Sequence, residues 1–245
     1  MARNNKVSKA IYKKHLSLYR HINDAWIFSD LIDPYLRDSA KKLRSSKSNA
    51  KRFYKTPKKT GWVINKRRDE QIGQLFHAQS ERGIFETNII SMISRTEAFI
   101  QDCVAIIACA YPQKLSILAD KGGVPIEIVL ENEDRNDLIK RFVLLKCEGL
   151  MFAKPRDYLD KASKVLSIEL EPDTIEAYIE IKASRDIIVH GSGVANKVYL
   201  EKSKDAARAK LGEELPIDRN YFKSVVVNLK KLSGQIQTKT EAVYE

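Results

Sequence analysis

Glycine and proline are scarce: ten and seven in 245 residues. A sandwich of many short strands needs a turn residue every few positions, so this scarcity favours long helices. Cysteine is scarcer still. Cys103, Cys109 and Cys147 form no C-x-x-C pair and have no histidine at a zinc-ligand spacing, which excludes a disulfide framework and a zinc finger. Each lies in an apolar stretch and reads as a reduced core residue. Long hydrophobic runs are missing as well. The greasiest segment, Ala98 to Tyr111, is broken by Gln101 and Asp102 and is too short to span a bilayer. The first ten residues are polar and basic with no apolar stretch behind them, so the expectation is a cytoplasmic protein with no membrane partner.

What remains is an ordinary soluble balance, 43% apolar and 31% charged residues, in a chain long enough to bury a core unaided. Its net charge of +11 is unevenly placed. Residues 1–68 hold 19 Lys and Arg against four acids, while the remainder is slightly acidic. Residues 1–68 therefore read as a basic N-terminal extension and residues 69–245 as the main bundle. The densest part, Lys41 to Arg68, has twelve basic residues, no acid, and Phe53, Tyr54 and Trp62 interleaved. Cations that neutralise phosphates release condensed counterions, and aromatic rings stack on unpaired bases. Lys41, Lys42, Arg44, Lys51, Arg52, Lys55, Lys58, Lys59, Trp62, Arg67 and Arg68 are the candidate RNA-binding residues. The plain alternative is a solvated loop, because charge runs are usually that.

Apolar residues recur at helical spacing from Ser8 to about Leu43, with Asp33-Pro34 as a break or a second start. The basic tract should follow as a loop, with a short strand or turn near Gly61 to Ile64. The clearest helix carries Phe85, Ile89, Met92, Ile93, Phe99, Ile100, Cys103, Ile107 and Ala110 on one stripe and stops at Tyr111-Pro112. Gly122, Gly123 and Pro125 mark a loop before a helix from about Asp134 to Phe152, and Tyr158 to Leu166 forms a shorter one. Another helix should open near Glu171-Pro172, with Asp173 and Glu176 in the form of a capping box, and end at His190 with Gly191 as its cap. Pro216 suits the first turn of a last helix whose buried face is Ile217, Tyr221, Val225, Leu229, Leu232 and Ile236. The fold class is all-α, a helical bundle.

His190 is one of four histidines. Asp186 lies four residues before it on the same face, and both that carboxylate and the helix C-terminus favour a protonated imidazole. Such a group can donate its proton to a leaving oxygen, and the planar fork of Arg185 suits phosphate oxygens. Arg185 could equally pair with Glu180 or Asp186 on the surface. Gly191-Ser192-Gly193 is not a phosphate loop, since no strand precedes it, and Ser192 has no nucleophile elbow. His15 and His21 read as packing or surface residues, whereas His77 could approach the site.

The stretch Arg185-Asp186-Ile187-Ile188-Val189-His190-Gly191, with Val198-Tyr199-Leu200 and the closing helix, resembles the HEPN superfamily and its R-x4-H motif. Glu97-Ala98-Phe99 looks like part of that family's first core helix, and the likeness covers about residues 80–237. It implies a HEPN-type bundle that assembles as a homodimer and cleaves RNA without cofactor or metal. Arg185 would clamp the scissile phosphate, His190 would act as general acid or base, and Asp186 would orient it. The context it implies is a toxin or phage-defence effector, with an antitoxin or other regulatory protein as a further partner. Asp186 stands where the family has Asn at least as often. The competing expectations are a non-catalytic module of the same fold that binds RNA or protein, and a DNA or ribosome binder acting through the basic segment alone.

Overall fold

The computed structural model describes residues 2–46, 48, 50–118, 128–129, 134–151 and 153–245 (for 2–5 and 151 the backbone alone). It is mostly helical. The expected loop at Gly122, Gly123 and Pro125 lies outside the described residues.

Helix α1 (Ala2–Arg44) buries Ile11, Leu18, Ile22 and Ala25, one stripe at the helical period. The chain does not break at Pro34, which sits inside α1 and faces solvent. The carbonyl it leaves without an amide donor can therefore be hydrated, and the turn is pinned from its other side. The Asp33 carboxylate accepts from Arg37 at 2.9 Å, and Arg219 reaches both Asp30 and Asp33.

The basic tract is not the expected loop. Strands β1 (Lys51–Pro57) and β2 (Trp62–Arg68) form an antiparallel hairpin, turned through Gly61 at φ +83°. Helix α2 (Asp69–Ala78) follows directly and runs through a π-helical turn, Gln79–Gly83, into α3 (Ile84–Ala110). The expected stripe on α3 is buried from Phe85 to Ile107, and the helix ends at Tyr111 because Pro112 cannot extend it. Cys103 and Cys147 are buried as expected, but Cys109 is on the exposed side of α3. Short α4 (Leu115–Leu118) precedes α5 (Arg135–Met151) and α6 (Pro155–Leu166). Helices α7 (Pro172–His190), α8 (Lys197–Ser203) and α9 (Arg219–Tyr244) complete the bundle.

The core lies where α1, α3, α7 and α9 meet. The expected face of α9 is buried throughout, although Pro216 lies before the helix and Asp218 is the N-cap, accepting from the Tyr221 amide at 2.8 Å. Phe222 of α9 is fully buried. It stacks on Trp26 of α1 (centroids 5.7 Å apart, planes 14° apart) and tilts against Phe85 of α3. The first helix is thus part of the common core, and the hairpin is the part of residues 1–68 that projects from it.

Candidate active site at the end of α7

Helix α7 opens two residues earlier than the expected capping box. Glu171 is the N-cap and Pro172 the first helical residue; the fixed φ of proline suits that place, and its missing amide costs nothing there. Asp173 therefore sits within the first turn, and Glu176 pairs with Arg156 instead of closing a box. Most of the helix circumference is buried, including Tyr178, Ile181, Ala183, Ser184 and Ile187. The strip left open carries Lys182, Arg185, Asp186, Val189 and His190, a repeat of three or four residues along one face.

The back of α7 is clamped by a buried carboxylate. Glu180, 6% exposed, accepts from Ser184 Oγ at 2.7 Å, Tyr199 OH at 3.1 Å, Tyr221 OH at 3.0 Å and Arg208 Nε at 2.9 Å. Burial pushes both tyrosine hydroxyls above their ordinary range, so they stay protonated donors. Arg208 also lies over the Tyr221 ring, 3.2 Å from its centroid. A buried charge with this many donors fixes the rotation of α7 relative to α8 and α9.

After His190 the chain turns sharply. Gly191 is at the C-cap as expected, but its φ is −122°; the left-handed backbone falls on Ser192 (φ 52°) and Gly193 (φ 77°). The amides of Gly191 and Gly193 both donate to the Ile187 carbonyl, at 2.8 and 3.1 Å. The positive φ is what favours glycine at 193; a Cβ there would also stand 2.0 Å from Arg82 Nη2 and so would displace that guanidinium. Arg82 comes from the π-helical turn and donates to the Leu215 carbonyl at 3.0 Å while pairing with Glu86 and Glu214. The backbone irregularity between α2 and α3 thus supplies the strut beneath the loop that follows the motif.

The open strip of α7 faces a cleft of about 850 Å³ lined by Glu97, Glu148, Lys154, Lys182, Arg185, Asp186, His190 and Lys202, among others. Lys182 forms an ion pair with Glu97 of α3. Burial pulls its ammonium below the ordinary lysine range while the Asp186 carboxylate pulls the other way. Asp186 does not meet His190. Its two oxygens accept from Arg185 at 3.2 Å and from Lys202 of α8 at 3.1 Å, so the expected Asp186–His190 contact is replaced by a bridge between two cations. Side chains four apart on a helix can meet, but the stronger charged donors on the flanks win the carboxylate. Arg185 is 26% exposed, and its Nε is buried with no partner in the structure. His190 is exposed and borders both this cleft and a smaller recess of about 320 Å³ against Val198 and Tyr199.

Arg185, Asp186 and His190 are therefore brought together in space, with Asp186 serving Arg185. The candidate RNA-binding residues lie elsewhere. Lys51, Arg52, Lys55, Lys58, Lys59, Trp62, Arg67 and Arg68 belong to the hairpin and its turn, whereas Lys41 and Arg44 line a recess with Arg37 and His77 between α1 and α2. His77 is thus placed away from the α7 cleft. His15 and His21 pack against α3, His15 beside Phe99 and His21 bonded to Ser91 at 3.0 Å.

Among the other charged residues of the cleft, Lys182 is legible in the sequence, being one turn before Arg185 on the same face. Glu97, read there only as part of a core helix, and Lys202 are not legible as cleft residues, because their arrival depends on how α3 and α8 pack. Among the described residues, no group of three His, Cys, Asp or Glu side chains could hold a metal ion, and no helix is long and apolar enough to cross a membrane. The chain gives no significant match to any family model, curated protein or solved structure.

Proposed function

We propose that the chain is a HEPN-type endoribonuclease whose chemistry is carried by Arg185 and His190. The observation that carries this reading is their convergence on one cleft. A guanidinium with an unpartnered, buried Nε and an exposed imidazole open onto the same space, with Lys182 and Lys202 beside them. Such a set suits a phosphodiester, because the cations match the charge of the phosphate and the imidazole moves a proton at the reacting oxygens.

In this reading the RNA 2′-oxygen attacks the adjacent phosphorus and the bond to the 5′-oxygen breaks. One imidazole takes the 2′-hydroxyl proton, another gives a proton to the departing 5′-oxygen, and the products are a 2′,3′-cyclic phosphate and a 5′-hydroxyl. A single copy offers one His190, so the second imidazole comes from a second copy across the cleft. Val189, Val194 and Val198 are exposed beside His190 and give that copy an apolar rim to bury. Arg185 steadies the charge that builds on the phosphoryl oxygens, and Asp186 aims Arg185 and Lys202. The setting proposed is a toxin or defence effector.

The test is cleavage of a labelled single-stranded RNA by the purified chain in excess EDTA, with product ends mapped. A cyclic phosphate and a loss of about 10²-fold in His190→Ala and in Arg185→Ala, with melting temperatures unchanged, support the proposal. A scaffold role is favoured by one observation, the internal bridge from Asp186 to Arg185 and Lys202. It predicts that the same variants melt several degrees lower and that the wild type cleaves nothing.

A further inference from the structure

The hairpin has two unlike faces. Strand pairing sets Phe53 opposite Lys66, Lys55 opposite Ile64 and Pro57 opposite Trp62, so these residues and Lys51 share one face. Tyr54, Thr56, Val63, Asn65, Arg52 and Arg67 share the other. That second face is tied to the bundle only at its base, where Arg52 donates to Asp69 at 2.6 Å; further out Asn65 donates to Thr56 across the strands, and Tyr54 and Val63 are 41% and 44% exposed. On the first face Phe53 and Trp62 are each 64% exposed and Ile64 57%. The contact seen there is the Lys66 ammonium over the Phe53 ring, 5.5 Å from its centroid.

Two aromatic rings open on one face of a ribbon offer flat stacking surfaces, and the charge around them says what kind of occupant they suit. The segment Lys41 to Arg68 has no acid to repel a polyanion. The two rings lie four residues apart along the ladder, about 13 Å, with Lys55 and Ile64 between them. Rings alternating with lysines pair stacking with phosphate contact, which is how single strands are held without sequence readout. From Asp69 at the hairpin base to Glu97 in the cleft runs about 40 Å of helix, so the two places can be occupied together only by a long strand.

We propose that the face formed by Lys51, Phe53, Lys55, Trp62, Ile64 and Lys66 is a remote docking platform for single-stranded RNA. It stacks two non-adjacent bases on Phe53 and Trp62 and feeds the strand toward the α7 cleft. The platform rests on the ribonuclease reading for the choice of RNA over other polyanions, but its binding is measurable without cleavage.

The experiment is fluorescence anisotropy of a labelled oligo(A) of roughly 12 nucleotides, within the span of one stacking platform, on the full chain carrying His190→Ala. Phe53→Ala and Trp62→Ala should each weaken binding about tenfold, whereas Trp62→Tyr keeps most of it and serves as the folded control. Tyr54→Ala, on the opposite face, should leave affinity unchanged. Replacing Lys51, Lys55 and Lys66 together by Gln should lower the slope of log affinity against log salt by about 2. Unchanged binding in Phe53→Ala and Trp62→Ala overturns the platform, as does an equal loss in Tyr54→Ala. Duplex RNA held as tightly with the same losses also overturns it, since paired bases offer no face. If the binding results hold while wild-type chain cleaves no RNA, the ribonuclease reading fails and the platform stands; if cleavage holds and the ring variants bind normally, the reverse is true.

Discussion

The α7 cleft and the hairpin are both cationic, yet they are built in opposite ways. At α7 the charged strip is backed by a helix buried on most of its circumference and locked by Glu180, so its side chains start from fixed positions. The hairpin has neither a core nor a partner sheet, and Arg52–Asp69 is the ion pair that holds its base to the bundle. Rigidity suits chemistry, where a displaced group loses rate steeply. An exposed ribbon suits holding a strand of variable sequence, where adaptability costs little. Substitutions in the two regions should therefore fail differently.

The largest effect is expected behind α7. Glu180→Ala removes the acceptor shared by Arg208 Nε and the buried hydroxyls of Tyr199 and Tyr221, and although Arg208 keeps the Pro216 carbonyl and Ser184 Oγ, the loss should cost about 3 kcal/mol read by chemical denaturation. Phe222→Ala, by opening the junction of α1, α3 and α9, should cost a similar amount, about 3–5 kcal/mol. A loss confined to the hairpin variants would invert the comparison. On the open side of the same helix, Arg185→Ala should cost activity and leave the melting temperature near that of the wild type. Arg52→Ala should speed amide exchange across β1 and β2 while the global melting temperature holds, because that ion pair is local, its arginine is exposed, and Ser46 still donates to Asp69.

The smallest effect is a pH slope in neither region. Burial lowers the imidazoles of His15 and His21 below 6.5; Arg95 adds to this at His21, and Asp24 opposes it there. The unfolded chain then binds protons more readily than the folded one. Stability is accordingly full above pH 6.5 and is lost as pH falls through the lower folded values. Thermal melts from pH 7.5 down to 5 should show a decline that His15→Gln with His21→Gln flattens.

The helices were the legible part of the sequence, for a physical reason. Ile89, Met92, Ile93, Ile100 and Ile107 repeat at the helical period because one face of α3 must be dry, and burial follows that register. The hairpin was hidden because neither face of β1 or β2 is buried, so no alternation of apolar and polar residues betrays it. Two aromatic or β-branched runs, Phe53-Tyr54 and Trp62-Val63-Ile64, flanking a turn with Gly61 were the remaining signal. Pro34 misleads in the opposite direction, since a proline on a solvated face need not end a helix when the carbonyl it frees can be hydrated. At the site, Arg185 and His190 could be placed on one helix from spacing alone. The partner of Asp186 could not, because Lys202 reaches it from α8 through tertiary packing.

The proposed division of labour between the two regions is tested most directly by steady-state cleavage of one long single-stranded RNA by three proteins of equal melting temperature. His190→Ala should lower kcat by about 10²-fold with KM little changed. The Phe53→Ala, Trp62→Ala double variant should raise KM with kcat preserved, and it should cut a short oligonucleotide that fits the cleft alone as fast as wild type does. A double hairpin variant that loses kcat on both substrates, or a His190→Ala protein that still cleaves at the wild-type rate, would contradict the account.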